Sequence, residues 1–203
     1  MLMKVQPISY SSNSLLSAQT NQTDSPIKTK LDNWYQSNLT NYSSYIADET
    51  FCNDRSVKSG DGYKLDSYTQ YGAYDRLNNK KTPSLKCSGD NDKFKVSNAN
   101  AKLDYQISLI TADEVALAGG VSGVTNMNYY LYNGKYYWTL SPSYFGYNSS
   151  DAYVWIVMLL GGLGPWYNVA NSAWVRPVIN LKANVTIIKG DGTSLNPFIL
   201  SVN

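Results

Sequence analysis

The chain has 203 residues, a formal net charge of +2 and no histidine. Its length fits one domain with enough core to be stable on its own. The scattered, nearly balanced charge argues against a nucleic-acid-binding surface, and the lack of histidine excludes Ser-His-Asp and Cys-His catalysis and every histidine-containing zinc site.

The N-terminal region is predicted to form a short strand over residues 2–8 within a flexible polar segment that extends to residue 24. A single domain is expected over residues 25–203. Ser25 followed by Pro26 is typical of a helix N-cap with proline at the first helical position. A helix beginning there would bury one apolar face, and a short helical turn is expected around Tyr42 and Tyr45. The predicted buried face contains Ile27, Leu31, Trp34, Tyr35 and Leu39.

Residues 51–101 are rich in turn-forming residues and poor in regular periodicity. The two cysteines, Cys52 and Cys87, are predicted to form a disulfide that closes a loop of about 36 residues. Two free buried thiols are the alternative. Aspartates recur in this region, and solvated turns are predicted for them in preference to a calcium site because the EF-hand pattern is missing. These acids are Asp54, Asp61, Asp66, Asp75, Asp90 and Asp92.

A strand is predicted over residues 105–110, directly before a short helix. Thr111 and Glu114 form the pattern of a capping box, and two glycines at 119 and 120 are expected to end this helix. Asp113 and Glu114 as a catalytic carboxylate pair is the alternative. Helix capping and interaction with the helix dipole explain both acids.

The aromatic segments that follow are predicted to form β-hairpins. Asn133-Gly134 is a strong hairpin signal between residues 129–132 and 136–140, and Ser141-Pro142 is expected to end the second strand. Further strands are predicted over residues 153–160, 166–169 and 174–181, with a tight turn at 161–164. A last hairpin is predicted to pair residues 185–188 with 197–200.

Two segments between these predicted strands, residues 143–153 and 164–173, combine aromatic side chains with asparagines. Exposed tyrosine and tryptophan offer large, rigid contact area, and asparagine offers adaptable hydrogen bonds. At least half of these side chains are expected to be buried instead. The candidate ligand contacts are Tyr144, Phe145, Tyr147, Asn148, Tyr153, Trp166, Tyr167, Asn168 and Asn171.

A hydrolase that uses only carboxylates is the enzymatic alternative, and it needs two acids on facing strands. Asp151 is the only acid between Glu114 and Asp191. The sequence therefore predicts a non-enzymatic protein, and no cofactor or metal is expected.

Six phrases of the sequence together resemble a known family. The set is similar to uncharacterised surface-protein modules of Gram-positive and gut bacteria, which are related to the formylglycine-generating-enzyme branch of the C-type lectin-like fold. The resemblance covers roughly residues 25–203. The phrases are Leu31-Asp32-Asn33-Trp34-Tyr35, Phe51-Cys52-Asn53-Asp54-Arg55, Leu109-Ile110-Thr111-Ala112-Asp113-Glu114, Tyr137-Trp138-Thr139-Leu140-Ser141-Pro142, Val175-Arg176-Pro177-Val178-Ile179-Asn180-Leu181, and Gly190-Asp191-Gly192-Thr193 with Asn196-Pro197.

This resemblance implies an α+β domain in which two helices pack beside small antiparallel sheets and long irregular loops form one face. It implies that Arg176 is a structural arginine, buried and hydrogen-bonded. The enzymes of that branch depend on a reactive cysteine pair late in the chain, and no cysteine follows Cys87 here. The calcium-binding motifs of sugar-binding animal lectins are also missing.

The expected function is that of a non-catalytic binding or adhesion module that recognises a protein or a glycan. A ligand-binding protein diversified by retroelements and a structural spacer domain are the alternatives. Charged residues make up only 16% of the chain, which favours an extracellular or cell-surface location on a bacterium. No membrane-spanning segment and no apolar signal sequence are found, so an exported form is expected to be part of a longer protein. A cytoplasmic location is the alternative.

Overall fold

The computed structural model describes residues 24–62, 68–87, 89–146 and 151–202. The described chain mixes a few helices with small antiparallel sheets, which confirms the predicted α+β class. The strand predicted over residues 2–8 lies outside the described residues.

The first helix, α1, spans Pro26–Asn38 and begins where the sequence predicts. The Ser25 hydroxyl accepts a hydrogen bond from the Lys28 amide at 3.1 Å, which satisfies one of the free N–H groups of the first turn. Ile27, Leu31 and Tyr35 are buried on one face. A 3-10 helix over Thr40–Tyr45 follows directly and confirms the second helical turn.

Shorter helical segments follow in the chain, including a 3-10 turn over Asp90–Asp92. Helix α2, Gly72–Tyr74, continues into a π-helical turn over Asp75–Lys80. Helix α3 spans Ala112–Leu117, and its predicted capping box is present. The Glu114 amide donates to the Thr111 hydroxyl at 3.1 Å, and the Thr111 amide donates to the Glu114 carboxylate at 2.8 Å.

The described residues contain eleven strands, which are β1 Phe51–Cys52, β2 Val57–Ser59, β3 Thr69–Tyr71, β4 Lys93–Phe94, β5 Ser108–Leu109, β6 Tyr137–Phe145, β7 Ala152–Val157, β8 Leu163–Asn168, β9 Pro177–Val178, β10 Val185–Lys189 and β11 Ile199–Val202. The largest sheet has five strands in the order β2-β3-β6-β7-β8, and every neighbouring pair is antiparallel. The other strands form two-stranded sheets, in the pairs β1-β4, β5-β9 and β10-β11.

The prediction of a hairpin around Asn133-Gly134 is wrong. Residues 129–132 form a turn, in which the Tyr132 amide donates to the Tyr129 carbonyl at 3.0 Å. Strand β6 instead pairs with β7 and continues through Pro142, where the sequence predicts its end. The register shifts on both sides of Pro142, and such irregularities are where an antiparallel pair accepts a residue without an N–H.

The other predicted strands are present with different limits. Strand β7 ends at Val157, and the turn before β8 spans residues 158–161, so β8 includes Leu163 and Gly164. The strand predicted over residues 105–110 is reduced to β5, and that over 174–181 is reduced mainly to β9. The last hairpin, β10 with β11, is confirmed.

The two faces of the large sheet cover different parts of the core. Strand side chains alternate between faces, so Val154 and Ile156 join the cluster that includes the buried side of α1. Trp155 and Val157 join a second cluster with residues of α2 and α3. Trp155 has no exposed surface. This second face is the one that carries the candidate site.

The loop region of residues 51–101 is stabilised by a disulfide bond and by ion pairs. Cys52 and Cys87 form the predicted disulfide. The Arg55 guanidinium donates to the Asp92 carboxylate at 2.6 Å beside it. Asp54 and Asp75, which the sequence predicts to lie in solvated turns, are instead ion-paired with Arg76 and Lys80 respectively. Asp66 lies outside the described residues.

No helix in the described ranges is both long enough and apolar enough to span a membrane.

Candidate functional site

Five aromatic side chains meet on the second face of the large sheet and form the aromatic patch. It consists of Tyr68, Tyr74, Tyr144, Tyr153 and Trp166. The indole of Trp166 lies at its centre, with its ring centroid 4.8 Å from that of Tyr144, 5.3 Å from that of Tyr74 and 6.0 Å from that of Tyr153. Tyr68 extends the patch on the far side of Tyr144, at 5.4 Å.

The register of the sheet places three of these rings together. Tyr144 on β6 is directly opposite Tyr153 on β7, and Tyr153 is directly opposite Asn168 on β8. Trp166 and Asn168 are two residues apart on β8 and so point to the same face. Cross-strand neighbours of this kind have side chains in contact.

One side of the aromatic patch packs against the core, and the other side is exposed to solvent. Tyr74 is buried and its ring lies 6.4 Å from the fully buried Trp155. Tyr144 and Tyr153 are half-buried, whereas Trp166 is 53% exposed and Tyr68 is 57% exposed. The exposed rings are thus held by ring contacts with neighbours that are themselves anchored.

A polar border adjoins the aromatic patch, and it consists of Asp151 and Asn168. The Asn168 side-chain amide donates to the Asp151 carboxylate at 3.0 Å, and the Tyr153 hydroxyl donates to the same carboxylate at 3.4 Å. The side-chain oxygen of Asn168, Oδ1, accepts a hydrogen bond from the Ala170 backbone amide at 2.8 Å, which fixes the orientation of the side chain. Asp151 is half-buried.

Two phenols of the patch, those of Tyr153 and Tyr144, have raised pKa values. Burial, followed by the Asp151 charge, raises the pKa of Tyr153. Burial, followed by the neighbouring Tyr68 and Tyr74, raises the pKa of Tyr144. Both hydroxyls therefore remain hydrogen-bond donors well above neutral pH.

The nine ligand contacts predicted from the sequence do not all lie on one surface. Tyr144, Tyr153 and Trp166 belong to the patch, and Asn168 to its border. Tyr147 and Asn148 lie outside the described residues.

The three remaining candidates lie outside the patch and its border. Phe145 is only 1% exposed, so its prediction as a ligand contact is wrong. Tyr167 lies on the opposite face of β8 from Trp166, and its ring is 5.2 Å from that of the fully buried Trp138. It therefore packs against the core. Asn171 is exposed in the turn after β8, where its amide donates to the Asn168 carbonyl at 2.9 Å.

Sequence reasoning missed Tyr68 and Tyr74 as members of the patch. Both lie in the region predicted as turn-rich loops. Strand β3 brings them beside β6, because Gln70 is directly opposite Tyr144. The aromatic and β-branched residues of Tyr68-Thr69-Gln70-Tyr71 are the signal that favours a strand there.

Several acids outside the patch are paired with basic side chains. Both oxygens of Asp113 accept from the Arg76 guanidinium, at 3.0 and 2.8 Å, and Asp54 accepts from it at 2.7 Å. In the described ranges one trio of carboxylates is close enough to share a metal ion, and Lys28 donates to all three members. These are Asp24, Asp32 and Asp104.

Arg176 makes contacts of a structural kind. Its guanidinium donates to the Leu131 carbonyl at 2.6 Å and lies over the Tyr137 ring at 5.3 Å. The side chain is half-buried and not fully buried as the resemblance implies.

Comparisons with protein-family models, with curated proteins and with solved structures find no match for this chain.

Proposed function

We propose that this chain is a non-catalytic binding module of an exported bacterial protein, and that the aromatic patch is its ligand-binding surface. The observation that carries the proposal is the exposure of Trp166. More than half of this large apolar side chain is in contact with solvent, although Trp155 and Val157 on the same face of the sheet are buried. A contiguous exposed apolar patch with polar neighbours, unlike a single exposed residue, marks an interaction site.

The geometry of the patch suits recognition. Tyrosine and tryptophan have two side-chain torsions each, so binding through them costs little conformational entropy. Their rings are held here by edge-to-face contacts on a five-stranded sheet. A pre-organised surface loses less free energy on binding than one that must be ordered by the ligand.

The proposed absence of catalysis rests on the small number of acidic residues near the aromatic patch. Residues 137–168, which include β6, β7 and β8, contain a single acid, Asp151. A carboxylate-only hydrolase needs a pair of acids on either side of its substrate. The acids Asp54 and Asp113, which are contributed by other segments, are held by Arg76.

Export is proposed from two features. The Cys52–Cys87 disulfide is typical of oxidising compartments, and the chain is poor in charged residues. The resemblance to bacterial surface-protein modules supports the same location, and with it we propose a C-type lectin-like arrangement of this α+β domain. The ligand is then an extracellular protein or a glycan.

Titration of the purified protein with two probe sets tests the proposal. One set contains neutral oligosaccharides of glucose, mannose, galactose and N-acetylglucosamine, and the other contains a proline-rich decapeptide, since proline rings also stack on aromatic side chains. We expect at least one probe to bind with a Kd below about 1 mM, and Trp166→Ala to abolish that binding.

Tyr130→Ala is the matched control, because Tyr130 is 80% exposed and is not part of the patch. This variant should bind the probe as the unchanged protein does. Equal loss in both variants, or no binding of any probe, would contradict the proposal and favour a spacer domain that has no ligand.

A further inference from the structure

We propose that the aromatic patch and its polar border form one subsite for the ring of a neutral, hydroxyl-rich sugar. This inference rests on the proposed function and names its ligand class. The sugar would lie with its C–H face against Trp166 and its hydroxyl edge towards Asp151 and Asn168.

The aromatic half of the subsite provides the stacking surface. A pyranose ring has an apolar face of C–H groups, and removing such a face together with an indole face from water is favourable. Trp166 is 53% exposed, and in the described ranges it is the tryptophan with the most exposed side chain. Contacts with the rings of Tyr144 and Tyr153, whose planes are inclined to the indole plane by 64° and 77°, hold the indole in position.

The polar half provides hydrogen bonds that are already oriented. An ionised carboxylate has about four acceptor positions, and an amide nitrogen has two donor hydrogens. In the described structure each oxygen of Asp151 accepts one hydrogen bond, and the Asn168 amide both donates to Asp151 and interacts with the Tyr153 hydroxyl. Acceptor capacity on Asp151 therefore remains for a ligand. Sugar hydroxyls, which donate hydrogen bonds, match this capacity, while Asn168 and Tyr153 hold the carboxylate in position.

Tyr153 joins the two halves. Its ring centroid is 6.0 Å from that of Trp166, and its hydroxyl is 3.4 Å from the Asp151 carboxylate. The stacking surface and the hydrogen-bonding groups are thus next to each other on one sheet face. A ligand that is apolar on its face and hydroxylated at its edge contacts both at once.

The charge of the border selects among sugars. Asp151 is the only charged group contributed by residues 137–168, and it is negative. A uronic or sialic acid would bring a second negative charge to this border, and like charges close together are unfavourable. A neutral sugar donates hydroxyl hydrogens to the carboxylate, and hydrogen bonds to a charged group are stronger than neutral ones.

A proline-rich peptide is the competing ligand, and it differs in its need for Asp151. Proline rings stack on aromatic side chains but have no N–H or O–H to donate. Binding of such a peptide would depend on Trp166 and would be independent of the Asp151 carboxylate. Asp151→Asn therefore separates the two ligand classes while it keeps the size of the side chain.

The experiment is a calorimetric titration of four proteins with the neutral oligosaccharide panel, an oligogalacturonate and the proline-rich decapeptide. The proteins are the unchanged chain, Trp166→Ala, Asp151→Asn and Tyr130→Ala, each with its melting temperature measured. We expect a neutral oligosaccharide to bind, Trp166→Ala to abolish binding and Asp151→Asn to weaken it by roughly tenfold or more. Tyr130→Ala should have no effect, and the oligogalacturonate should bind more weakly than its neutral counterpart. If Asp151→Asn lowers the melting temperature, Asn168→Ala replaces it.

The outcomes separate this inference from the proposed function. Peptide binding that is lost in Trp166→Ala and retained in Asp151→Asn, with no sugar bound, would overturn the sugar subsite and leave the binding surface in place. Sugar binding that is unaffected by Asp151→Asn and by Asn168→Ala would also overturn it. Absence of binding by every probe would overturn both.

Discussion

The indole of Trp166 and the phenol ring of Tyr144 are in contact, with ring centroids 4.8 Å apart and planes inclined at 64°. These residues lie on β8 and β6, with Tyr153 of the intervening strand β7 in contact with both. Three strands therefore fix one exposed ring. This contact is the structural basis for treating the face as a binding surface.

The neighbours Trp166 and Tyr167 should differ in their contribution to stability. Trp166→Ala removes a mostly exposed ring and should cost about 1 kcal/mol, the usual value of an aromatic pair. Tyr167→Ala should cost about 2–3 kcal/mol, because the ring packs on buried Trp138 and its hydroxyl donates to the Ser172 carbonyl at 3.0 Å. Chemical denaturation measures both. Equal losses would show that Trp166 belongs to the core.

Arg76 is expected to be essential for folding stability. Arg76 connects the π-helical turn that follows α2 to Asp113 at the start of α3 and to Asp54 after β1, and the side chains of these acids are 5% and 10% exposed. Arg76→Met would leave two nearly buried carboxylates unpaired, which should cost about 3–5 kcal/mol.

Lys80→Met is the matched control for Arg76, since the Lys80 side chain is 58% exposed in its pair with Asp75. Exposed pairs of this kind contribute little. The control should keep the melting temperature of the unchanged protein. A similar fall in both variants would contradict the structural role of Arg76.

Reduction of the Cys52–Cys87 disulfide should destabilise the protein. The bond joins cysteines 35 residues apart, and closing a loop of that length is worth roughly 3–4 kcal/mol through the entropy of the unfolded chain. Urea denaturation with and without a reducing agent measures the difference. The double variant Cys52→Ala, Cys87→Ala should be insensitive to the reducing agent, and sensitivity there would point to another cause.

Stability should fall at alkaline pH because of Tyr129. Burial raises the pKa of its hydroxyl above the usual 10.0, and that hydroxyl donates to the Gly161 carbonyl at 2.8 Å. Ionisation therefore costs more in the folded chain than in the unfolded chain. The stabilisation is complete below pH 10 and is lost as the pH rises above it.

Between pH 8 and 11, the free energy of unfolding measured by denaturation should decline less in Tyr129→Phe than in the unchanged protein. Tyr130→Phe, which alters an 80% exposed neighbour, serves as the matched control. A decline that is the same in Tyr129→Phe and in the control would contradict this assignment.

Local signals in the sequence predicted the parts of the fold that depend on near neighbours. Ser25 before Pro26 begins α1, and Thr111 with Glu114 caps α3, because each needs only backbone groups within one helical turn. The disulfide followed from the cysteine count.

Pairings between distant segments were less accessible from the sequence. Asn133-Gly134 does form a turn, with Gly134 at φ 66°, but the flanking segments have other partners. Tyr137 pairs with Val157, which an Asn-Gly signal cannot indicate. Tyr68 and Tyr74 join the patch only through the pairing of β3 with β6, so their role depends on a long-range contact.

The indole N–H resonance of Trp166 provides the most direct test of the central claim that the aromatic patch binds a ligand. The chain has five tryptophans, and the Trp166 signal is assigned by its loss in Trp166→Phe. Titration of the ¹⁵N-labelled protein with the neutral oligosaccharides should shift this signal in a saturable way and leave that of buried Trp138 unchanged. A Trp166 signal that stays fixed while another site responds, or while nothing responds, would contradict the account.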